Sequence, residues 1–258
     1  MKARRPAGIV PVAALAIAFV ALPLVGLLWK APWRSTWDVL DSHDALTALR
    51  LSLVTSIAAT FVAVALGLPL AWVLARIETP ARPLLRALTT LPMVLPPVVG
   101  GTALLLALGR RGVVGRYLGD AGIHLPFHMT GAVLAEAFVA MPFFVLSAEG
   151  AFRAVDIRLE DAARTLGASP WRVLRTITIP LARPGLAAGA VLCWARALGE
   201  FGATITFAGN FPGRTQTLPL FVYVQLEGGD RDAAIVLSLV LLVVSLVVLV
   251  ALRDRWFR

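Results

Sequence analysis

An all-α integral membrane protein with about six transmembrane helices is the fold class this sequence predicts, and three observations predict it. Apolar residues fill 59% of the 258 positions and the mean hydropathy is +0.82, too apolar for a soluble domain of this size. Six runs of about twenty residues carry little or no charge, the length that crosses a hydrocarbon core. The basic residues stand mainly in the short gaps between those runs.

Taken in order, Met1-Lys-Ala-Arg-Arg is a basic head before the uncharged run Ile9–Trp29. A secretory signal has the same polarity but a shorter apolar core, so the run reads as a retained first helix with Trp29, Lys30 and Trp33 as interfacial anchors. Residues 31–50 are polar. Leu51–Ala75 is a second span, followed by a turn marked by Pro80 and Pro83. Ala87–Gly109 is a third, but Pro92, Pro96, Pro97, Gly100 and Gly101 lie inside it. Prolines at this density kink or break a helix, and the carbonyls they free are tolerated in a bilayer only against protein or a watery cavity. Pro96 and Pro97 therefore read either as a packed kink or as lining of a solute path. Residues 110–128 form a polar connection in which His124 and His128 lack a third metal ligand nearby, so no metal site is expected. Met129–Ala148 is a fourth span carrying Glu136. A fifth is expected from near Pro184 to about Ala208, with Arg196 and Glu200 inside it, and Ala233–Leu252 is the sixth. No repeat or low-complexity linker divides the chain. Residues 1–50 read as a first helix with its external loop and residues 51–258 as the core domain.

Six spans put both termini on one side. That side carries 15 Lys and Arg against 8 on the other, which places both termini in the cytoplasm of a multi-pass protein of the cell (inner) membrane. Topology accounts for the net charge of +9, and nucleic acid is not an expected partner. Cys193, the only cysteine, lies in an apolar run and reads as a packing residue. Lys2 and Lys30, the only lysines, have no P-loop context, and no H-E-x-x-H, G-x-S-x-G or CxxC pattern occurs. An enzyme is therefore not expected, and no cofactor is assigned to this chain.

Between the fourth and fifth spans lies Leu159–Pro180, LEDAARTLGASPWRVLRTITIP, which mixes charge, small residues and helix formers. Leu159, Ala162, Ala163 and Leu166 recur at helical spacing. Gly167 breaks the helix, Ser169-Pro170 caps a second, and that helix starts at Trp171. An ordinary amphipathic loop has this pattern, and so has a ridge that a soluble partner grips. Asp161-Ala162-Ala163, three residues, Gly167, nine residues, Ile177, one residue, Ile179-Pro180 resembles the EAA loop of ABC-importer permeases, with Asp161 in the Glu place and Ile179 in the Leu place. The resemblance implies the type I ABC-importer permease fold and a cytoplasmic coupling loop at about residues 153–180. Glu160, Asp161, Ala162, Ala163, Gly167 and Pro180 would face the ATPase subunit.

Arg196 and Glu200 stand four apart, so on one helix they can pair. Charge at bilayer depth is costly and usually faces a bundle interior or a water-filled cavity. The pair either neutralises itself to lock a helix or borders an anion path, and Glu136 can reach the same cluster. Arg196-Ala-Leu-Gly-Glu-Phe-Gly-Ala-Thr-Ile-Thr-Phe-Ala-Gly-Asn210 resembles the signature of permeases for tetrahedral oxyanions, closest to those for molybdate. The tail Thr204-Ile-Thr206-Phe is the molybdate-like part, and sulfate permeases usually differ after the alanine. The resemblance covers about Leu51 to the C-terminus. It implies a homodimer, two ATP-binding-cassette subunits that hold ATP and Mg, an extracytoplasmic oxyanion-binding protein, and a pathway near Pro96, Pro97, Glu136, Arg196, Glu200, Thr204 and Thr206. A sulfate-type permease, a stand-alone secondary transporter using the three charged residues as a relay, and an intramembrane enzyme are the competing readings. The secondary transporter leaves the EAA-like loop without a purpose, and the enzyme lacks a catalytic constellation.

Overall fold

The computed structural model describes residues 9–256; the basic head and the last two residues lie outside it. Five helices are long and apolar enough to cross a membrane, and a bent pair makes a sixth crossing. They are α1 (Ile9–Trp29), α3 (His43–Arg76), the pair α4 (Arg82–Val94) and α5 (Pro97–Leu108), α7 (Met129–Ala154), α10 (Ile179–Leu198, continuous with the turns before it) and α13 (Arg231–Trp256). Short helices α2 (Thr36–Leu40), α6 (Gly115–Asp120), α8 (Ile157–Thr165), α9 (Pro170–Val173), α11 (Gly202–Phe207) and α12 (Leu218–Glu227) connect them.

Helix α7 is the centre, packed between α3 and α10. Apolar side chains are at home in lipid, so close backbone approach and polar contacts must hold such helices together. The sequence supplies small residues at helical spacing: Ala59, Ala63, Gly67 and Ala71 on α3 meet Ala137, Ala140, Phe144 and Ala148 on α7. Gly185 and Gly189 of α10 lie against Ala151 and Ser147 of α7 in the same manner. By contrast α1 buries none of its residues, and its apolar surface is left to the surroundings.

The third span breaks where its prolines lie, as expected, and two other boundaries differ from the expectation. The third span is two helices meeting at 117°, because Pro96 and Pro97 carry no N–H and the carbonyls of Pro92 and Met93 lose their i+4 donors. The second helix of the Leu159–Pro180 stretch is not separate: α9 runs through a π-helical turn, Leu174–Thr178, directly into α10. The fifth span therefore runs Pro170–Leu198, not from Pro184 to Ala208. It ends at Gly199, and Glu200 lies beyond it in a break before α11.

Candidate functional site

The loop between α7 and the fifth span is built by local caps and then tied down from a distance. Asp156 opens α8, its carboxylate accepting from the Arg158 N–H at 3.0 Å. At the other end Gly167 takes φ +85°, a conformation costly for any residue with a Cβ. Its N–H donates to the Arg164 carbonyl at 2.9 Å and that of Ala168 to Ala163 at 3.0 Å, which closes the helix as a Schellman motif. Ser169 Oγ accepts from the Arg172 N–H at 3.4 Å and starts α9.

The carboxylate that anchors this stretch is Glu160, whose side chain is only 1% exposed. Its Oε1 accepts from Arg76 Nη2 at 2.7 Å, from Arg76 Nε at 3.1 Å and from Thr178 Oγ1 at 3.0 Å. Arg76 also donates to the Val155 carbonyl at 3.1 Å. One side chain of α8 thus joins the end of α3 to the turn that opens α10. Asp161, next in the chain, turns outward and among the described residues pairs only with Arg164, at 2.9 Å. Ala162 and Gly167 are exposed, while Ala163 and Pro180 are half-buried. Around them Leu159, Leu166 (88% exposed) and Trp171 (64% exposed) form an uncovered apolar ridge. A second knot lies beside the first. Glu149 of α7 pairs with Arg86 of α4 and, at 2.7 Å, with Arg153, which also donates to the Leu74 carbonyl at 3.3 Å.

Inside the membrane the break after α10 meets the break before α5. A Cβ added to Gly101 would stand 2.7 Å from Thr206 Cβ and 2.8 Å from the Ala203 carbonyl oxygen. One added to Gly202 would stand 2.7 Å from Pro97 Cβ. These two glycines let α5 and α11 touch, which brings Pro97, Glu200, Thr204 and Thr206 together. Glu200 is 1% exposed; its Oε1 accepts from the Ala203 N–H at 2.8 Å and so caps α11. Its Oε2 lies 2.5 Å from Arg196 Nη2, an ion pair whose N–H is not aligned for a hydrogen bond. Arg196 keeps 27% of its side chain exposed, so the cation faces outward from a buried carboxylate.

Glu136 and Thr206 each make hydrogen bonds of their own, and Glu136 stands near enough to Glu200 for the two carboxylates to repel. Pro96 and Pro97 are exposed at the bend. Glu136 on α7 is buried and its Oε1 accepts from Thr55 Oγ1 of α3 at 2.8 Å, while its Oε2 has no hydrogen-bond partner. The Thr206 hydroxyl returns to the Gly202 carbonyl at 2.7 Å; that of Thr204 is fully buried and unpartnered. His128 Nδ1 lies 2.8 Å from the Pro126 carbonyl, and among the described residues no three His, Cys, Asp or Glu converge on a metal. Sequence reasoning missed Arg76, Thr178 and Thr55. Arg76 had a signal, as the first charge after a 25-residue apolar run.

Replacing Arg196 with Ala should leave Glu200 as a buried carboxylate without its cation, a loss of about 3–5 kcal/mol for breaking such a pair. The expected result is a lower yield of folded protein, restored by adding Glu200→Gln, with transport absent in both. Size-exclusion yield and uptake measure the two effects. A stable, fully active Arg196→Ala would remove the pair from both roles.

Helices crossing a bilayer around a broken span, with an anchored amphipathic loop at one end, define a membrane permease component. The chain belongs to the family described as binding-protein-dependent transport system inner membrane component, whose sequence model matches residues 63–258. Within it the chain is 48% identical over 239 residues to the molybdenum transport system permease protein ModB of Mycobacterium tuberculosis, covering 93% of this chain and 90% of that protein. The sulfate transport system permease protein CysT of Escherichia coli is 33% identical, with 90% and 85% covered. A chain of a bacterial ABC transporter involved in the import of the acidic polysaccharide alginate superposes with TM-score 0.77, covering 96% and 93% at 19% identity; it shares the fold.

Proposed function

We propose that this chain is the membrane-spanning permease subunit of an ATP-driven importer that moves molybdate, or a similar tetrahedral oxyanion such as tungstate, into the cytoplasm. The observation that carries the substrate is the 48% identity to a molybdenum permease across nearly the whole chain, against 33% to a sulfate permease. A sulfate-type permease is the second reading. The working unit is a homodimer with two ATPase subunits, which bind ATP and Mg, and an extracytoplasmic oxyanion-binding protein. The uncovered Leu159 and Leu166 on the ridge support an ATPase partner, since an apolar surface rigidly mounted outside the spans is what a partner cleft needs. Uptake of labelled molybdate, tungstate and sulfate by the reconstituted complex tests the reading. Sulfate entering in preference would overturn it.

Orientation follows from the charge bias: both termini and the coupling stretch are cytoplasmic. An enzyme reporter active only outside the membrane should stay silent after Arg258 and work when inserted at Gly228. The reverse pattern would turn the molecule over.

Gly167→Leu should be made and inserted normally, because nothing lies within 4 Å of a Cβ there and the cost falls on the turn itself. With φ +85° denied, the ridge tilts, and ATPase copurification should fall about tenfold or more, taking uptake with it. Normal copurification and uptake would show that the stretch does not couple.

A further inference from the structure

Next to the coupling stretch, α3 and the α9–α10 segment enclose an open groove of about 500 Å³ lined by Leu68, Trp72, Val73, Trp171, Leu174 and Ile179. Its walls are almost wholly apolar, and they lie in the last turns of α3 before Arg76, at the edge of the membrane where indole rings concentrate. The Arg175 guanidinium stands 5.9 Å from the centre of the Trp171 ring. Arg172 and Arg175 are exposed and, among the described residues, neither has a carboxylate within ion-pair distance. The groove floor is also where helix geometry is irregular. Leu174 opens the π-helical turn, and Pro69 lies within α3 on the facing side.

We propose that this groove holds an acyl chain of an anionic phospholipid whose phosphate rests on Arg172 and Arg175. A helix about 10–12 Å across would fill such a volume with about one turn, so a thin chain fits where a helical partner does not. The uncompensated cations beside its wall, Arg175 against the Trp171 ring and Arg172 next to Trp171 in the chain, select the headgroup, since basic residues beside a membrane surface attract anionic lipid. The ligand sits on the π turn that joins the coupling stretch to the fifth span, so its presence stiffens that joint. The site requires only that the chain lies in a bilayer and does not depend on the oxyanion reading.

The test is quenching of tryptophan fluorescence in vesicles by brominated-chain phosphatidylglycerol or, at the same fraction, brominated-chain phosphatidylcholine. The Trp171 signal is taken as wild type minus Trp171→Phe. Anionic lipid should be favoured at this residue by about five-fold or more. Arg172→Gln with Arg175→Gln should abolish that preference, and Arg172→Lys with Arg175→Lys should keep it. Equal quenching by the two lipids, no quenching at Trp171, or a preference that survives the double Gln variant would each overturn the proposal. None of these outcomes bears on whether molybdate is the solute.

Discussion

Glu160→Ala should give a protein that enters the membrane but has lost its hold on the coupling stretch. Arg76 donates two hydrogen bonds to this carboxylate in a site where both side chains are nearly buried. Removing one partner of such a pair costs about 3–5 kcal/mol, because the other charge stays buried without compensation. The loss is local to α8 and its two neighbours, so the spans should persist. Limited proteolysis should then cut between Asp156 and Ser169 at least ten times faster than in wild type. ATP hydrolysis stimulated by the binding protein should disappear even where the ATPase subunit still copurifies. Exchanging the charges, Arg76→Glu with Glu160→Arg, should recover part of the protection. Wild-type proteolysis together with wild-type stimulation in Glu160→Ala would mean the anchor plays no part in transmitting force.

Gly101→Leu is expected to be still more damaging, and for a different reason. The atoms a Cβ would strike include the carbonyl oxygen of Ala203, which is backbone and cannot rotate away. Even alanine should cost about 1–3 kcal/mol by overpacking, and leucine must force α5 off α11. That separation would also move the Pro97 contact with Gly202 and the Glu200 cap on Ala203. The expected result is no monodisperse protein for Gly101→Leu and a lowered melting temperature for Gly101→Ala. Gly26→Leu is the control, since a Cβ on α1 there meets nothing within 4 Å. A Gly101→Leu variant with wild-type melting would show that the two breaks do not pack as described.

The contrast between these positions shows what a sequence carries. Spans are legible because lipid demands a long apolar run, and the prolines near residue 96 announce a break because they lack a donor. The 117° bend is not legible, since it depends on what α5 leans against. Likewise the motif register draws the eye to Asp161, but burial falls on Glu160, one residue or about 100° round the same helix. Periodicity describes an apolar face without saying which polar neighbour points back toward the protein. Arg76 and Glu160 are 84 residues apart, and only the packing of α3 against α7 brings them together. The identity of Glu200 as a helix cap was hidden by Gly199, where the fifth span stops between Arg196 and Glu200.

Helix α3 is 34 residues long, or about 51 Å, well beyond the ~30 Å of hydrocarbon it crosses. Near one end Ala45 and Ala48 pack with Leu218 and Phe221 of α12, farther in Ser52 Oγ accepts from the Leu218 N–H at 2.6 Å, and at the other end Arg76 grips Glu160. A rod held at both ends behaves as a lever. Rocking it by about 5° about its middle would carry each tip about 2 Å, in opposite directions. Rearrangement around α12 on one face would therefore arrive at the coupling stretch as a displacement large enough to break or make a hydrogen bond. Pro69 is the one notch in the rod, some 10 Å before Arg76, and it fixes where bending would dissipate that stroke.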